Sequence, residues 1–155
     1  MKREEALEAF SKLISFADQL RDMDENTWVT PYKPGKWTIR DIVTHIALWD
    51  QYFLENAIQK ITNGEPLTLE NLNYEEFNQS AIEYAKSKTK DEILDLTISV
   101  RQELYNQVKA FSDEAYQTVY NYADNKKFSL DEYLLDFISH DEHHIKQIEP
   151  FLQSK

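Results

Sequence analysis

Helix breakers are nearly absent from this chain: two glycines and four prolines punctuate 155 residues. Backbone with so little punctuation runs in long helices joined by short connections. The length suits one domain, large enough to bury a core without disulfide staples, so residues 1–155 read as a single unit. Hydrophobic spacing agrees. Leu7, Phe10, Ile14, Ala17 and Leu20 recur at intervals of three and four, which predicts an amphipathic helix over roughly residues 2–24. Pro31, Pro34 and Gly35 then stop propagation, and Thr38 with Asp41 three residues on forms a capping arrangement for a second helix. Its stripe runs through Ile42, His45, Ile46, Trp49, Phe53 and Asn56 to about Gly64.

A shorter helical piece, with Tyr74, Phe77, Ala81 and Tyr84 on one face, fills roughly residues 73–86. Thr89 and Glu92 form a second capping box, opening a helix through Ile93, Leu96, Val100, Leu104 and Phe111. Residues 112–128 read as an ordered loop. Ser129 and Glu132 predict a third box, with Phe128 and Tyr133 at the staple positions, for a last helix ending near Leu152. No strand pattern, internal repeat or domain linker is evident. The expectation is an all-α four-helix bundle.

Charge narrows the partners. Acidic residues outnumber basic ones by 28 to 17, a formal charge of −11 that repels phosphate backbones and anionic membranes. Neither nucleic acid nor membrane is expected as a partner. No apolar run approaches a membrane span and the start lacks the apolar core of a signal peptide, so a cytoplasmic location is expected. With no cysteine, thiolate-ligated metals and catalysis by a protein thiol are excluded. A metal would need His, Asp or Glu, and thiol chemistry a small molecule.

The histidines carry the chemical signal. His140 and His144 lie i, i+4, one above the other on a helix face, and His45 lies within the apolar stripe of the second helix. At about 100° per residue, His144 falls about 40° and His140 about 80° from the centre of the last helix's apolar face; His143 falls about 140° away. The pair His140 and His144 can therefore look at a neighbouring helix while His143 points to solvent. If packing brings His45 beside them, three neutral nitrogens converge and leave a tetrahedral metal an open position. A single core histidine and a chance spacing are the bland alternative. Asp141 projects near the middle of the same face, where a carboxylate needs a partner. It could orient a ligand imidazole or a nearby indole, or make a structural hydrogen bond. Trp37, Trp49, Tyr52 and Tyr133 could line a pocket, or simply fill the core. No phosphate loop, Ser-His-Asp set or Glu-x-x-His repeat is present.

Two segments resemble a known family. Gly35-Lys36-Trp37-Thr38-Ile39-Arg40-Asp41-Ile42-Val43-Thr44-His45-Ile46 is similar to the first signature of the DinB/YfiT-like superfamily, in which a Trp and a cap precede a ligand His. His140-Asp141-Glu142-His143-His144-Ile145-Lys146-Gln147 resembles its second, His-x-x-x-His followed by Gln. The resemblance implies a bundle of up-down-down-up topology, a homodimer, and a divalent metal, zinc or nickel, on His45, His140 and His144. It also implies an enzyme acting on a small-molecule substrate, a thiol S-transferase or a hydrolase that activates an exogenous thiol or water. A low-molecular-weight thiol is then the co-substrate. The alternative from another class is a non-catalytic module that binds a metal or a small ligand.

Overall fold

The computed structural model describes residues 2–153; Met1, Ser154 and Lys155 lie outside them. Four long helices form the bundle, and two of them carry the histidines. The first, α1 (Arg3–Gln19), buries Leu7, Phe10, Leu13 and Phe16. It stops short of the expected residue 24, giving way to a 3₁₀ turn at Leu20–Asp22. A four-residue helix α2 (Glu25–Trp28) follows, because the Asp24 side chain accepts from Thr27 N–H and restarts the helix there. That turn buries Trp28 at 1 % exposure.

Helix α3 (Ile39–Phe53) begins at the Thr38–Asp41 capping box, both halves of which form. It is the central helix: every residue from Asp41 to Ala47 is buried. A π-helical turn at Leu54–Ile58 carries it into α4 (Gln59–Asn63) without a break. Asn56, the polar member of the predicted stripe, donates to the Tyr52 carbonyl and accepts from Thr68, holding the widened turn. Gly64, at φ +70°, ends the rod where a left-handed residue is required, and Glu65 N–H returns to the Lys60 carbonyl.

Helix α5 (Tyr74–Lys86) lies against α3. The second capping box, Thr89 with Glu92, starts α6 (Lys90–Ala110), which packs on both α1 and α3. The segment expected to be a loop holds more structure than that. Ser112 caps the short α7 (Asp113–Gln117), and β1 (Tyr120–Tyr122) pairs antiparallel with β2 (Lys126–Phe128), Tyr120 opposite Phe128. The hairpin turns through Asp124 and Asn125 at φ 60° and 62°, two residue types that tolerate the left-handed conformation. Its strands are three residues each, too short to leave an alternation in the sequence.

The last helix, α8 (Leu130–Gln153), completes the bundle against α1 and α3. The Ser129 carbonyl accepts from Tyr133 N–H, so Ser129 occupies the N-cap position, but the predicted box does not form. Its hydroxyl is buried without a partner, and Glu132 N–H turns to the Asp131 carboxylate instead. The aromatic staple does form, with Phe128 and Tyr133 rings 5.6 Å apart. The apolar core has two halves, one around Phe10, Leu104 and Leu134, the other around Leu13, Ile46 and Ile148. On α3 and α8 a buried carboxylate, Asp50 and Asp141, falls between the residues of one half and those of the other. No helix of the described residues is long and apolar enough to cross a membrane.

Candidate metal centre

His45 is placed by the capping box that starts α3, and His140 and His144 by the i, i+4 repeat of α8. The packing of these two helices brings all three rings together. Centroids lie 4.6 Å apart for His140 and His144, 4.7 Å for His45 and His144, and 5.2 Å for His45 and His140. One ring nitrogen from each lies within 4.8 Å of the others. The Trp37 ring covers His45 edge-on at 4.9 Å. His143 is exposed and takes no part in this cluster.

Hydrogen bonds define which nitrogens face inward. Nδ1 of His45 donates to the Ile42 carbonyl at 2.5 Å, and Nδ1 of His144 donates to Oε1 of Gln147 at 2.7 Å. Each bond fixes the neutral tautomer with a bare Nε2, the form a metal takes. Gln147 is itself tied down, its Nε2 donating to the Tyr32 hydroxyl at 3.2 Å. Burial, helped by the neighbouring imidazoles, holds His45 down at about 3, and burial against the pull of Gln147 holds His144 at about 4. His140 is lowered too, by burial first and then by the charges of His143 and Arg101. All three are neutral at physiological pH.

The donor set fits a divalent ion. A tetrahedral site with nitrogens about 2.1 Å from the metal spaces them about 3.4 Å apart. Nε2 of His140 and Nε2 of His144 are already 3.2 Å apart. Imidazole nitrogen suits zinc, nickel and copper better than the hard ions magnesium and calcium.

A groove of about 520 Å³ opens beside the cluster, lined by His45 and His140 and walled by Trp49, Phe53, Tyr74 and Phe137. Of the aromatic residues singled out from the sequence, Trp49 lines it. Tyr52 stands behind Trp49 at 5.9 Å, its hydroxyl accepting from Glu70 N–H and pinning the connection after α4. Tyr133 lies outside the groove, buried behind Phe53 and Phe137 at 5.3 and 4.7 Å.

Of the two roles open to Asp141, orienting an imidazole or indole or making a structural hydrogen bond, its contacts are of the structural kind, though to neither Tyr nor Trp: both its oxygens accept from Arg101, at 2.6 and 3.2 Å. Arg101 on α6 also donates to both oxygens of Asp50 and to the Phe10 carbonyl, with the Phe10 ring 3.9 Å from its guanidinium carbon. The guanidinium thereby joins the two helices that carry the histidines. Arg101 and Asp50 escaped the sequence reading, although a signal existed. Arg101 shares a helix face with the buried Thr97, Leu104 and Val108, and Asp50 shares one with Ile46 and Phe53.

The helical bundle and its three converging imidazoles place the protein among helical bundles built around a three-His cluster. The chain belongs to the DinB superfamily, whose family model matches residues 5–148. It is similar in fold to YfiT from Bacillus subtilis, described as a probable metal-dependent hydrolase with an unusual four-helix bundle topology. That likeness has a TM-score of 0.74 at 16% identity, over 99% of this chain and 89% of YfiT. It is also similar to a mycothiol-dependent maleylpyruvate isomerase, with a TM-score of 0.71 at 19% identity. There the match covers 94% of this chain but only 60% of the isomerase. No curated protein matches the chain by sequence.

Proposed function

We propose that the protein is a metal-dependent enzyme of the thiol S-transferase or hydrolase type, in which His45, His140 and His144 hold a divalent metal, zinc or nickel. The observation that carries this reading is three neutral imidazoles converging at the edge of an aromatic groove. A divalent ion on neutral ligands keeps its charge and, when bound, supplies Lewis acidity that makes a thiol or water nucleophilic at neutral pH. The chain contributes no cysteine, so the sulfur of a transferase reaction comes from a low-molecular-weight thiol.

The residues around the site do the rest. Ile42 and Gln147 hold two imidazoles in one tautomer, so no proton has to leave those ring nitrogens when a ligand arrives. Trp37 packs edge-on against His45, and the groove opens on the side of the cluster formed by His45 and His140. Trp49 and Phe137 present apolar surface on which an electrophile can lie within reach of the centre. The likeness to a probable hydrolase and to a thiol-dependent isomerase supports both arms of this reading.

The test is turnover of an alkylating substrate such as monobromobimane with cysteine or bacillithiol, and of activated esters, by metal-loaded protein. Activity that disappears on chelation and in His45→Ala supports the proposal. Activity that survives both overturns it. A loaded protein inert toward every thiol and ester tried is a binding module instead.

A further inference from the structure

The groove has a lining whose chemistry selects its guest. The indole of Trp49 stacks on Phe77 with centroids 3.9 Å apart, and Tyr74 meets it edge-on at 5.4 Å while remaining 70 % exposed. The polar edge of the indole is already used, since Nε1 of Trp49 donates to Asn78 Oδ1 at 3.0 Å. What this wall offers a guest is π surface. The charged group on the opposite side is Asp136, exposed on α8 one turn before His140 and therefore on the same helix face. No Lys or Arg lines the groove, and none of the ion pairs among the described residues involves Asp136.

Aromatic faces attract cations through their quadrupole, and an unpaired carboxylate a helical turn from the imidazoles attracts them too. In the metal-free groove both features act against an organic anion, as does the formal charge of −11. We infer that the groove binds small molecules that combine a flat apolar body with a cationic nitrogen, an amine or quaternary ammonium, the body against Trp49 and the nitrogen toward Asp136. The guest is a substrate only if the three-His centre is reactive, so this inference rests on the function proposed above for its catalytic meaning. The binding preference stands on the groove alone.

The experiment compares three probes of similar shape: benzyltrimethylammonium, benzyl alcohol and phenylacetate. Affinities are read by saturation-transfer NMR and tryptophan fluorescence, on metal-loaded and on chelator-treated protein. In chelator-treated protein the cation should bind roughly tenfold more tightly than the neutral alcohol, and in metal-loaded protein, where a divalent charge held by His45 and His140 opposes it, by less. Asp136→Asn should remove about three- to tenfold of that preference while leaving the alcohol unchanged. Trp49→Leu should weaken both. Asp136 and Tyr74 are exposed, so Asp136→Asn and Tyr74→Ser test the groove without disturbing the core; Tyr74→Ser should weaken the cation more than the alcohol. Phenylacetate binding as tightly as the cation in chelated protein overturns the inference, as does an unchanged cation affinity in Asp136→Asn or a failure of all three probes to bind. Those results leave metal content untouched. Conversely, a protein that takes up no metal yet prefers the cation defeats the proposed enzyme and keeps the groove's specificity.

Discussion

Arg101 spans the bundle interior to Asp141, the neighbour of His140, with Nη1 2.6 Å from one carboxylate oxygen and Nη2 3.2 Å from the other. Its Nε and Nη2 take the two oxygens of Asp50 at 2.8 and 3.0 Å, one turn and a half beyond His45 on α3. A single side chain thus bonds to both helices that supply imidazoles. Full burial pushes Asp50 up to about 6, with the guanidinium charge pulling the other way and keeping it ionised at neutral pH.

Removing Arg101 leaves two carboxylates buried against each other. Arg101→Met should therefore lower stability by about 3–5 kcal/mol, the range for breaking a buried ion pair on one side. Metal affinity should fall with it, since the α3–α8 register is no longer held. Neutralising the partners in the same chain, with Asp50→Asn and Asp141→Asn, should recover a large part of the stability because the unpaired charges are gone. Denaturant unfolding of the single and triple variants reads this. A loss below about 1 kcal/mol in Arg101→Met would show that the cluster is not what joins the helices.

The parts of this protein that were legible in its sequence are those governed by local rules. Capping boxes at Thr38 and Thr89 depend on four consecutive residues, and both form. The i, i+4 relation of His140 and His144 follows from helix geometry alone. Convergence of His45 with that pair depends on how α3 meets α8, which no local pattern fixes; the family resemblance suggested it. The same limit hid the Asp141–Arg101 pair. Periodicity placed Asp141 on an apolar face and demanded a partner, but the partner lies 40 positions away on another helix. Ser129 shows the opposite failure. Its spacing to Glu132 satisfies the capping pattern, yet the Glu132 N–H goes to the Asp131 carboxylate and the Ser129 hydroxyl is buried without a partner.

Tyr133 should be improvable. Its hydroxyl is buried with no hydrogen-bond partner, and burial together with the Asp50 charge pushes the phenol well above its ordinary range, so it stays neutral. An unsatisfied buried group is a net penalty, and Tyr133→Phe removes the oxygen while keeping the ring that packs on Phe53 and Phe137. Stability should rise by about 1 kcal/mol, with metal content unchanged. A loss of stability on removing this oxygen would reveal a partner for it.

Acid should destabilise the metal-free protein. His45, held down at about 3, and His144, at about 4, stay neutral in the folded state while the unfolded chain takes protons near the ordinary histidine value of about 6.5. Below that value the unfolded state binds more protons, so stability falls with pH until the folded values are reached. Above it neither state is charged at these groups and the effect vanishes. Asp50 acts in the opposite sense: raised to about 6, it takes a proton in the folded state first and gains stability over the window down to about 4. For His45 alone, moving from about pH 7 to about pH 5 should cost about 2 kcal/mol. Unfolding of chelator-treated protein at the two pH values measures the sum, and His45→Leu should flatten the dependence by that amount. An unchanged slope in His45→Leu would contradict the buried, neutral assignment.

Gln147 and His143 separate support of the metal site from mere proximity to it. Both side chains neighbour His144, and Gln147 Nε2 lies 3.3 Å from His143 Nε2, but only Gln147 bonds to a ring nitrogen of the cluster. His143→Ala should leave metal content unchanged, whereas His144→Ala should abolish stoichiometric binding. Gln147→Leu frees Nδ1 of His144 and lets the ring turn and change tautomer, which should weaken metal affinity about 10- to 100-fold, the range for losing a hydrogen-bond partner behind a ligand. Gln147→Glu keeps an acceptor at the same place and adds charge, so it should retain binding or tighten it. Competition titrations with a coloured chelator read all four variants. Equal losses in His143→Ala and His144→Ala would overturn the assignment of ligands, and wild-type affinity in Gln147→Leu would show that the packing of α8 on α3 is enough to orient His144.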